Sequence, residues 1–309
     1  MHVLVYGAGA VGGYFGALLA RGGADVTFVA RGANLDALRA GGLTVVFPTE
    51  TLRIAPVRAV VDPADAPRAD VVLVCVKSYD TPAAATALRS VVGADTIIVS
   101  LQNGVENEDL IARTLGVSPL LVALTRIGVE LTAPAHVEYS GRGEIVFGEP
   151  TGEESPRARR FAEVLAAAGV PHQLRRDVLV HAWEKLAWNA AFNAVTTLAD
   201  VTVQGATTHA ATRDLIVRTM VEVDAVAAAT GVPVRRGRLE TVLVDSVSGL
   251  ADFPTSMLQD RRRGRRLEYD AINGAVVRAA ERMGVAVPLN RTLVALLARL
   301  DTGTAQQRS

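Results

Sequence analysis

Short apolar runs alternate with alanine-rich stretches through the first half of the chain, and the pattern changes character near its middle. Val3–Tyr6, Val26–Ala30, Leu43–Phe47, Val71–Val76, Thr96–Leu101 and Leu120–Leu124 read as strands. Gly13–Arg21, Leu35–Ala40, Thr81–Val92 and Glu106–Leu115 read as the helices between them, the alternation expected of βαβ units. The run Val71-Val72-Leu73-Val74-Cys75-Val76 has no polar face, as a parallel strand covered on both sides requires. A β-rich segment over Ala135–Gly148 follows, with Gly141-Arg142-Gly143 as its expected turn. From Pro156 the periodicity becomes helical: Arg157–Ala168, Val178–Ala199, Thr208–Thr230, Arg236–Val244, Tyr269–Met283 and Thr292–Leu300. Gly169 with Pro171, Gly231 with Pro233 and Gly284 with Pro288 punctuate these helices. The pattern predicts an α/β domain over residues 1–174 and an all-helical domain over 175–309, ending in a disordered tail at Thr302–Ser309.

Composition narrows the function classes. Half of the 309 residues are apolar and 5% are aromatic, so the cores are expected to rest on Ala, Val and Leu. With 32 basic and 32 acidic residues the net charge is zero, and nothing global draws the chain to nucleic acid or anionic lipid. A lone cysteine, Cys75, permits no internal disulfide and fits a reducing compartment. Neither a leader peptide nor an apolar run of the ~18 residues that a membrane span needs is apparent, so a cytoplasmic location is expected.

The first strand runs into Gly7-Ala8-Gly9-Ala10-Val11-Gly12, a G-x-G-x-x-G motif between a strand and a helix. In that context Gly7 makes a tight turn, Gly9 lets the backbone approach a pyrophosphate, and Gly12 lets the helix lie close to the strand. Helix N-terminal amides then face the phosphates. The alternative is a glycine-rich turn without a ligand, but the placement in the first βαβ unit favours a Rossmann-type doubly wound sheet holding a dinucleotide. Specificity for NAD needs a carboxylate about 20 residues further on, at the end of the second strand. Val29-Ala30-Arg31 stands there instead, and Arg31 can pair with a 2′-phosphate, so NADPH is the expected cofactor. Arg31 could also be an ordinary exposed strand-end arginine.

Polar residues in apolar company mark the remaining candidates. Lys77 follows the fourth strand and Asn103-Gly104 the fifth, where open α/β sheets bind ligands, although a solvated strand end and a simple turn explain them equally well. Lys185, Asn189 and Asn193 recur every four residues and form one helical stripe flanked by Leu186, Trp188 and Phe192. A lysine in such surroundings has its charged form disfavoured and can donate a proton; a solvated stripe beside aromatics is the alternative. Glu268 is a second acid–base candidate, though carboxylates in a first helical turn are common. Ser256 could be a helix cap. The run Arg261-Arg262-Arg263-Gly264-Arg265-Arg266 reads as a solvated linker. No histidines have metal-ligand spacing, His181 reads as packing or surface, and Cys75 as a small buried hydrophobe, so no metal is expected.

Taken together, Gly7–Gly12, Arg31, Lys77, Gln102-Asn103-Gly104, Lys185-Leu186-Ala187-Trp188-Asn189, Asn193 and Ser256-Met257-Leu258-Gln259-Asp260 before Glu268 resemble the ketopantoate reductase family, in order over essentially the whole chain. The resemblance implies a Rossmann domain and a helical domain with the active site in the cleft between them. It implies hydride transfer from NADPH to ketopantoate, giving pantoate for pantothenate synthesis. It implies Lys185 as general acid and Glu268 as the group orienting substrate hydroxyls. Asn189, Asn193 and Ser256 would hold substrate, and Asn103 and Lys77 would bracket the nicotinamide. The segment Val203-Gln204-Gly205 departs from the family pattern, which puts the substrate side chain in question. The alternatives are a reductase of another branched 2-oxo acid and a non-catalytic NADPH-binding sensor. The expected partner is a small 2-oxo acid, with neither nucleic acid nor membrane; a homodimer is left open.

Overall fold

The computed structural model describes residues 1–118, 120–235 and 254–306. The helix expected over Arg236–Val244 lies outside them. Two compact units are present, one of residues 1–102 and 106–178, the other of 103–105 together with the chain from Leu179 onward.

The first unit is built on a parallel sheet of β1 (His2–Tyr6), β2 (Asp25–Val29), β5 (Arg58–Val60), β6 (Val71–Val74) and β7 (Ile97–Ser100). Its order is β5-β2-β1-β6-β7, so the chain reverses direction across the sheet between β1 and β6. Alternate residues explain the unbroken apolar runs. Val3 and Val5 of β1 pack with helix α1 (Ala10–Arg21), while Leu4 and Tyr6 face a second core with Ala84, Leu88 and Ile111. Those residues come from the segment around α3 (Thr81–Ala87) and from α4 (Asn107–Leu115). Gly16 sets the spacing of α1, since a Cβ there would stand 2.3 Å from the Phe28 ring.

A second sheet corrects the expectation for Leu43–Phe47. The strand β3 (Leu43–Val46) leaves the parallel sheet and joins β4 (Thr51–Ile54), β8 (Val122–Ala133), β9 (His136–Gly148) and β10 (His172–Leu174). Its side chains alternate between buried and half-buried, the signature of a sheet with one covered face. The expected strand Leu120–Leu124 overlaps only the start of the long strand β8, which begins at Val122. Gly141-Arg142-Gly143 is no turn but an irregularity inside β9, where the pairing with β8 slips beside Ile127 and Gly128. Positive φ accompanies the slip, at +149° for Gly141, +63° for Arg142 and +101° for Gly143; the hairpin itself turns at Pro134-Ala135. Helix α5 (Pro156–Ala167), capped by Ser155, closes the core from α1 to the second sheet.

The second unit is helical: α6 (Val178–Trp188), α7 (Ala194–Ala199), α8 (Val203–Thr208), α9 (Ala210–Ala229), α10 (Ser256–Arg262), α11 (Ala275–Met283) and α12 (Pro288–Gln306). Two expected helices are interrupted by π turns, at Asn189–Asn193 and Asp270–Gly274. The last helix begins at Pro288, a favoured first position, and continues through the residues expected to be a disordered tail as far as Gln306. The arginine run is not a free linker. Arg261 donates to the carbonyl of Thr197, and Arg262 Nε to Asp200 Oδ1 at 2.8 Å, so both anchor α10 to the C-terminal end of α7. Among the described residues no helix is long and apolar enough to cross a membrane.

Candidate functional site

In the first unit the site is made mostly of backbone. Gly7 follows β1 at φ +105°, and a Cβ on it would stand 2.8 Å from the Val76 amide nitrogen. A Cβ on Gly12 would lie 2.2 Å from the Gly7 carbonyl oxygen. Both positions therefore need glycine for the protein's own packing. Gly9 differs: a Cβ there meets nothing within 4 Å, and its φ of −78° suits any residue. No side chain caps α1, so the leading amides around Ala10, Val11 and Gly12 keep their donor capacity. Ala8 is buried, and its amide donates to the Val29 carbonyl at 3.2 Å.

Arg31 is the residue before α2 (Gly32–Gly41), exposed beyond the carboxyl end of β2. Lys77 is half-buried beyond β6, beside the crossover between β1 and β6 where open sheets of this kind bind ligands. Two positioning amides had no role assigned from sequence: Asn34, which no motif included, and Gln102, matched only as part of Gln102-Asn103-Gly104. Asn34 donates to the Ala8 carbonyl at 2.7 Å and accepts from the Ala135 amide at 2.7 Å, which pins the glycine loop. Gln102 donates to the Val76 carbonyl at 2.9 Å and to Thr81 Oγ1 at 2.8 Å, which ties the Lys77 loop to the end of β7. Cys75 lies just past β6 rather than within it, and burial pushes its thiol pKa up to about 12. It stays protonated and is a poor nucleophile.

In the second unit the site is made of side chains. Lys185 is half-buried in the last turn of α6, one turn before Asn189. Asn189 Nδ2 donates to Asn103 Oδ1 at 3.4 Å, and Asn103 Nδ2 donates to Glu268 Oε2 at 3.4 Å. Both contacts are at the weak end of the hydrogen-bond range and exchange readily for a better acceptor or donor. Asn189 and Glu268 are buried, and Gly104, at φ +104°, turns the chain beside Asn103. Asn193 is fully buried, and neither its Oδ1 nor its Nδ2 has a hydrogen-bond partner among the described residues. Leaving such a group unsatisfied costs ~1–3 kcal/mol per atom, so a folded protein rarely keeps one without use.

The π turn straightens the stripe. Positions four apart in an α-helix drift by about 40° around the axis. A π turn holds more residues per turn and reverses that drift, so Asn193 returns toward the line of Lys185. Trp188 stacks on Phe192 with centroids 4.9 Å apart, an aromatic wall beside the stripe. Among the described residues no hydrogen bond draws Ser256 into this cluster, and it is not the helix cap. It is the exposed first residue of α10, and buried Thr255 caps the helix through the Leu258 amide. Val203-Gln204-Gly205 is the first turn of α8, capped by Thr202, with Val203 in the core and Gln204 exposed.

Comparisons with known proteins agree over the whole length. Residues 3–152 match the family described as ketopantoate reductase PanE/ApbA, and residues 177–301 its C-terminal counterpart. A 2-dehydropantoate 2-reductase of Halobacterium salinarum is 35% identical over 96% of this chain and 98% of its own. The crystal structure of a PanE/ApbA family ketopantoate reductase from Ralstonia eutropha JMP134 superposes with a TM-score of 0.91 at 33% identity, covering 99% of this chain and 100% of its own. A D-mandelate dehydrogenase in a ternary structure with NADH shares the fold, with a TM-score of 0.92 at 21% identity over 99% of this chain and all of its own.

Proposed function

The chain belongs to the ketopantoate reductase PanE/ApbA family, and from that premise we propose that it reduces 2-dehydropantoate to pantoate, a step of pantothenate synthesis, with NADPH as hydride donor. The observation that carries the proposal is the cluster of Asn103, Asn189 and Glu268, joined by weak hydrogen bonds and set one helical turn from Lys185. Residues 1–174 hold the cofactor, and 175–309 with Asn103 hold the 2-oxo acid.

The residues present fit a dinucleotide phosphate. Packing explains Gly7 and Gly12 but not Gly9, where the open space suits a ligand that approaches the backbone closely. The uncapped α1 terminus offers amide donors to a pyrophosphate around Ala10, Val11 and Gly12, with Ala8 in the loop that carries them. Arg31 is exposed at the end of β2 and is suited to a 2′-phosphate. Lys77 and Asn103 attend the nicotinamide end. When bound, NADPH supplies a hydride to the 2-oxo carbon.

The side chains do the rest. Charge develops on the carbonyl oxygen as its carbon is reduced, and a donor already in place stabilises it most effectively. Lys185 Nζ gives that oxygen its proton, leaving a neutral amine that solvent reprotonates. Glu268 accepts a hydrogen bond from the substrate hydroxyl, while Asn189, Asn193 and Ser256 hold the carboxylate and carbonyl ends. The test is NADPH oxidation by the purified protein with a panel of 2-oxo acids. The highest kcat/KM is expected for 2-dehydropantoate; a higher value for an acid without the hydroxyl would move the assignment to that acid.

A further inference from the structure

Buried amides outside the substrate cluster hold its π turns together. A π turn leaves backbone carbonyls outside the regular α-helical ladder, and such groups need other donors. Asn273, within the Asp270–Gly274 turn, donates through Nδ2 to the Ala190 carbonyl of the Asn189–Asn193 turn at 2.8 Å. The same nitrogen donates to Asn290 Oδ1 at 3.0 Å. Asn290 Nδ2 in turn donates to Glu222 Oε2 at 2.8 Å, and Glu222 also accepts from the Leu289 and Asn290 amides at 2.8 and 2.9 Å. Asn273 and Asn290 are wholly buried. The chain of bonds runs from α9 through the start of α12 to both π turns, ending at the residue between Asn189 and Asn193.

We propose that Asn273 is a positioning residue: by clasping the two π turns it sets where the amides of Asn189 and Asn193 stand relative to Glu268. It touches no substrate atom itself. This rests on the function proposed above for Asn189, Asn193 and Glu268. A displaced contact group of about 1 Å is enough to cost on the order of 10² in rate, which is the scale at which a clasp of this kind matters.

The test pairs kinetics with hydrogen exchange. Asn273→Ala is expected to lower kcat/KM for 2-dehydropantoate by ~100-fold, with the dissociation constant for NADPH unchanged within about twofold, since the glycine loop belongs to the other unit. In a background carrying both Asn189→Ala and Asn193→Ala the same substitution is expected to cost no more than about threefold, because its effect passes through those two amides. Equal losses in both backgrounds would overturn the proposal, as would a parallel loss of NADPH affinity. Hydrogen exchange needs no substrate: the amides of Asn189–Val195 are expected to exchange at least ~10-fold faster in Asn273→Ala while those of α1 stay unchanged. Unchanged exchange in the π turn would overturn it too. If the unmutated protein reduces no 2-oxo acid, the functional reading fails while exchange still decides whether Asn273 clasps the turns. Should Asn273→Ala not fold, Asn290→Ala removes the second partner of the same nitrogen and is expected to show the same pattern more weakly.

Discussion

The glycine loop after β1 and the polar cluster around the π turns reach a binding site by opposite means. The loop works with backbone: Gly7 and Gly12 are required by contacts inside the first unit, Gly9 leaves space open, and α1 offers amides that no side chain caps. The cluster works with side chains: Asn189 and Asn193 stand on a buried π turn, half-buried Asn103 and buried Glu268 stand on non-helical segments, and Asn193 has no partner among the described residues. A backbone site tolerates any dinucleotide of the right shape, so in the function proposed above its selectivity is assigned to one added charge, Arg31. A side-chain site is specific throughout and costs stability wherever its polar groups wait unpaired. Binding and chemistry should therefore separate cleanly under mutation.

The largest effect is expected at Lys185. Lys185→Ala should lower kcat by roughly 10²–10⁴, the range typical of a lost general acid, with NADPH affinity nearly unchanged and a folded circular dichroism spectrum. Near-normal turnover would make Lys185 an ordinary helix-face lysine. Glu268→Ala comes next. The unmutated protein should prefer 2-dehydropantoate to 2-oxoisovalerate, since the acid without the hydroxyl forgoes the hydrogen bond proposed to Glu268. The substitution should narrow that gap by roughly tenfold or more, mainly by harming 2-dehydropantoate; a four-point cycle of both acids on both proteins measures it. At the backbone site, Arg31→Ala should raise the KM for NADPH about tenfold and leave NADH kinetics nearly unchanged. Equal losses with the two cofactors would separate Arg31 from the 2′-phosphate.

How much of this contrast could be read in the sequence follows from how local each device is. The glycine motif occupies consecutive residues, and the fully apolar β6 announces a strand covered on both faces. The second sheet was partly hidden because β4 is short and mixes Thr51 and Arg53 with Leu52 and Ile54, a pattern that also suits a loop. Gly141-Arg142-Gly143 suits a bulge as well as a turn, and only pairing with β8 decides. The stripe of Lys185, Asn189 and Asn193 was legible, but the π turn beneath it was not, since the same residues satisfy an α-helical period. Asn103 and Glu268 meet across 165 residues of chain, a separation that no local pattern reports. The arginine run misled for a related reason: its partners, Thr197 and Asp200, lie more than sixty residues earlier.

The smallest expected effect lies away from both sites. Arg157 and Ser155 hydrogen-bond Glu149 at the end of β9, and the arginine above all holds its carboxyl below the usual carboxylate range. A depressed carboxylate stabilises the fold above its unfolded pKa and loses that contribution as pH falls through the folded value. Arg157→Ala should therefore destabilise the protein by roughly 1 kcal/mol near pH 7, allowing for the partly exposed arginine. The difference should shrink as the pH drops below the ordinary carboxylate pKa of about 4. Denaturant melts at pH 7 and pH 3.5 measure it, and an equal deficit at both would remove Glu149 as the cause. Activity should be unaffected.

The most direct test of the whole assignment is to follow NADPH oxidation and pantoate formation together when the unmutated protein meets 2-dehydropantoate. The expected result is one pantoate formed for each NADPH consumed, with a clear preference over NADH. Tight NADPH binding without turnover of 2-dehydropantoate or any other 2-oxo acid would contradict it, leaving a nucleotide-binding protein whose polar cluster performs no reduction.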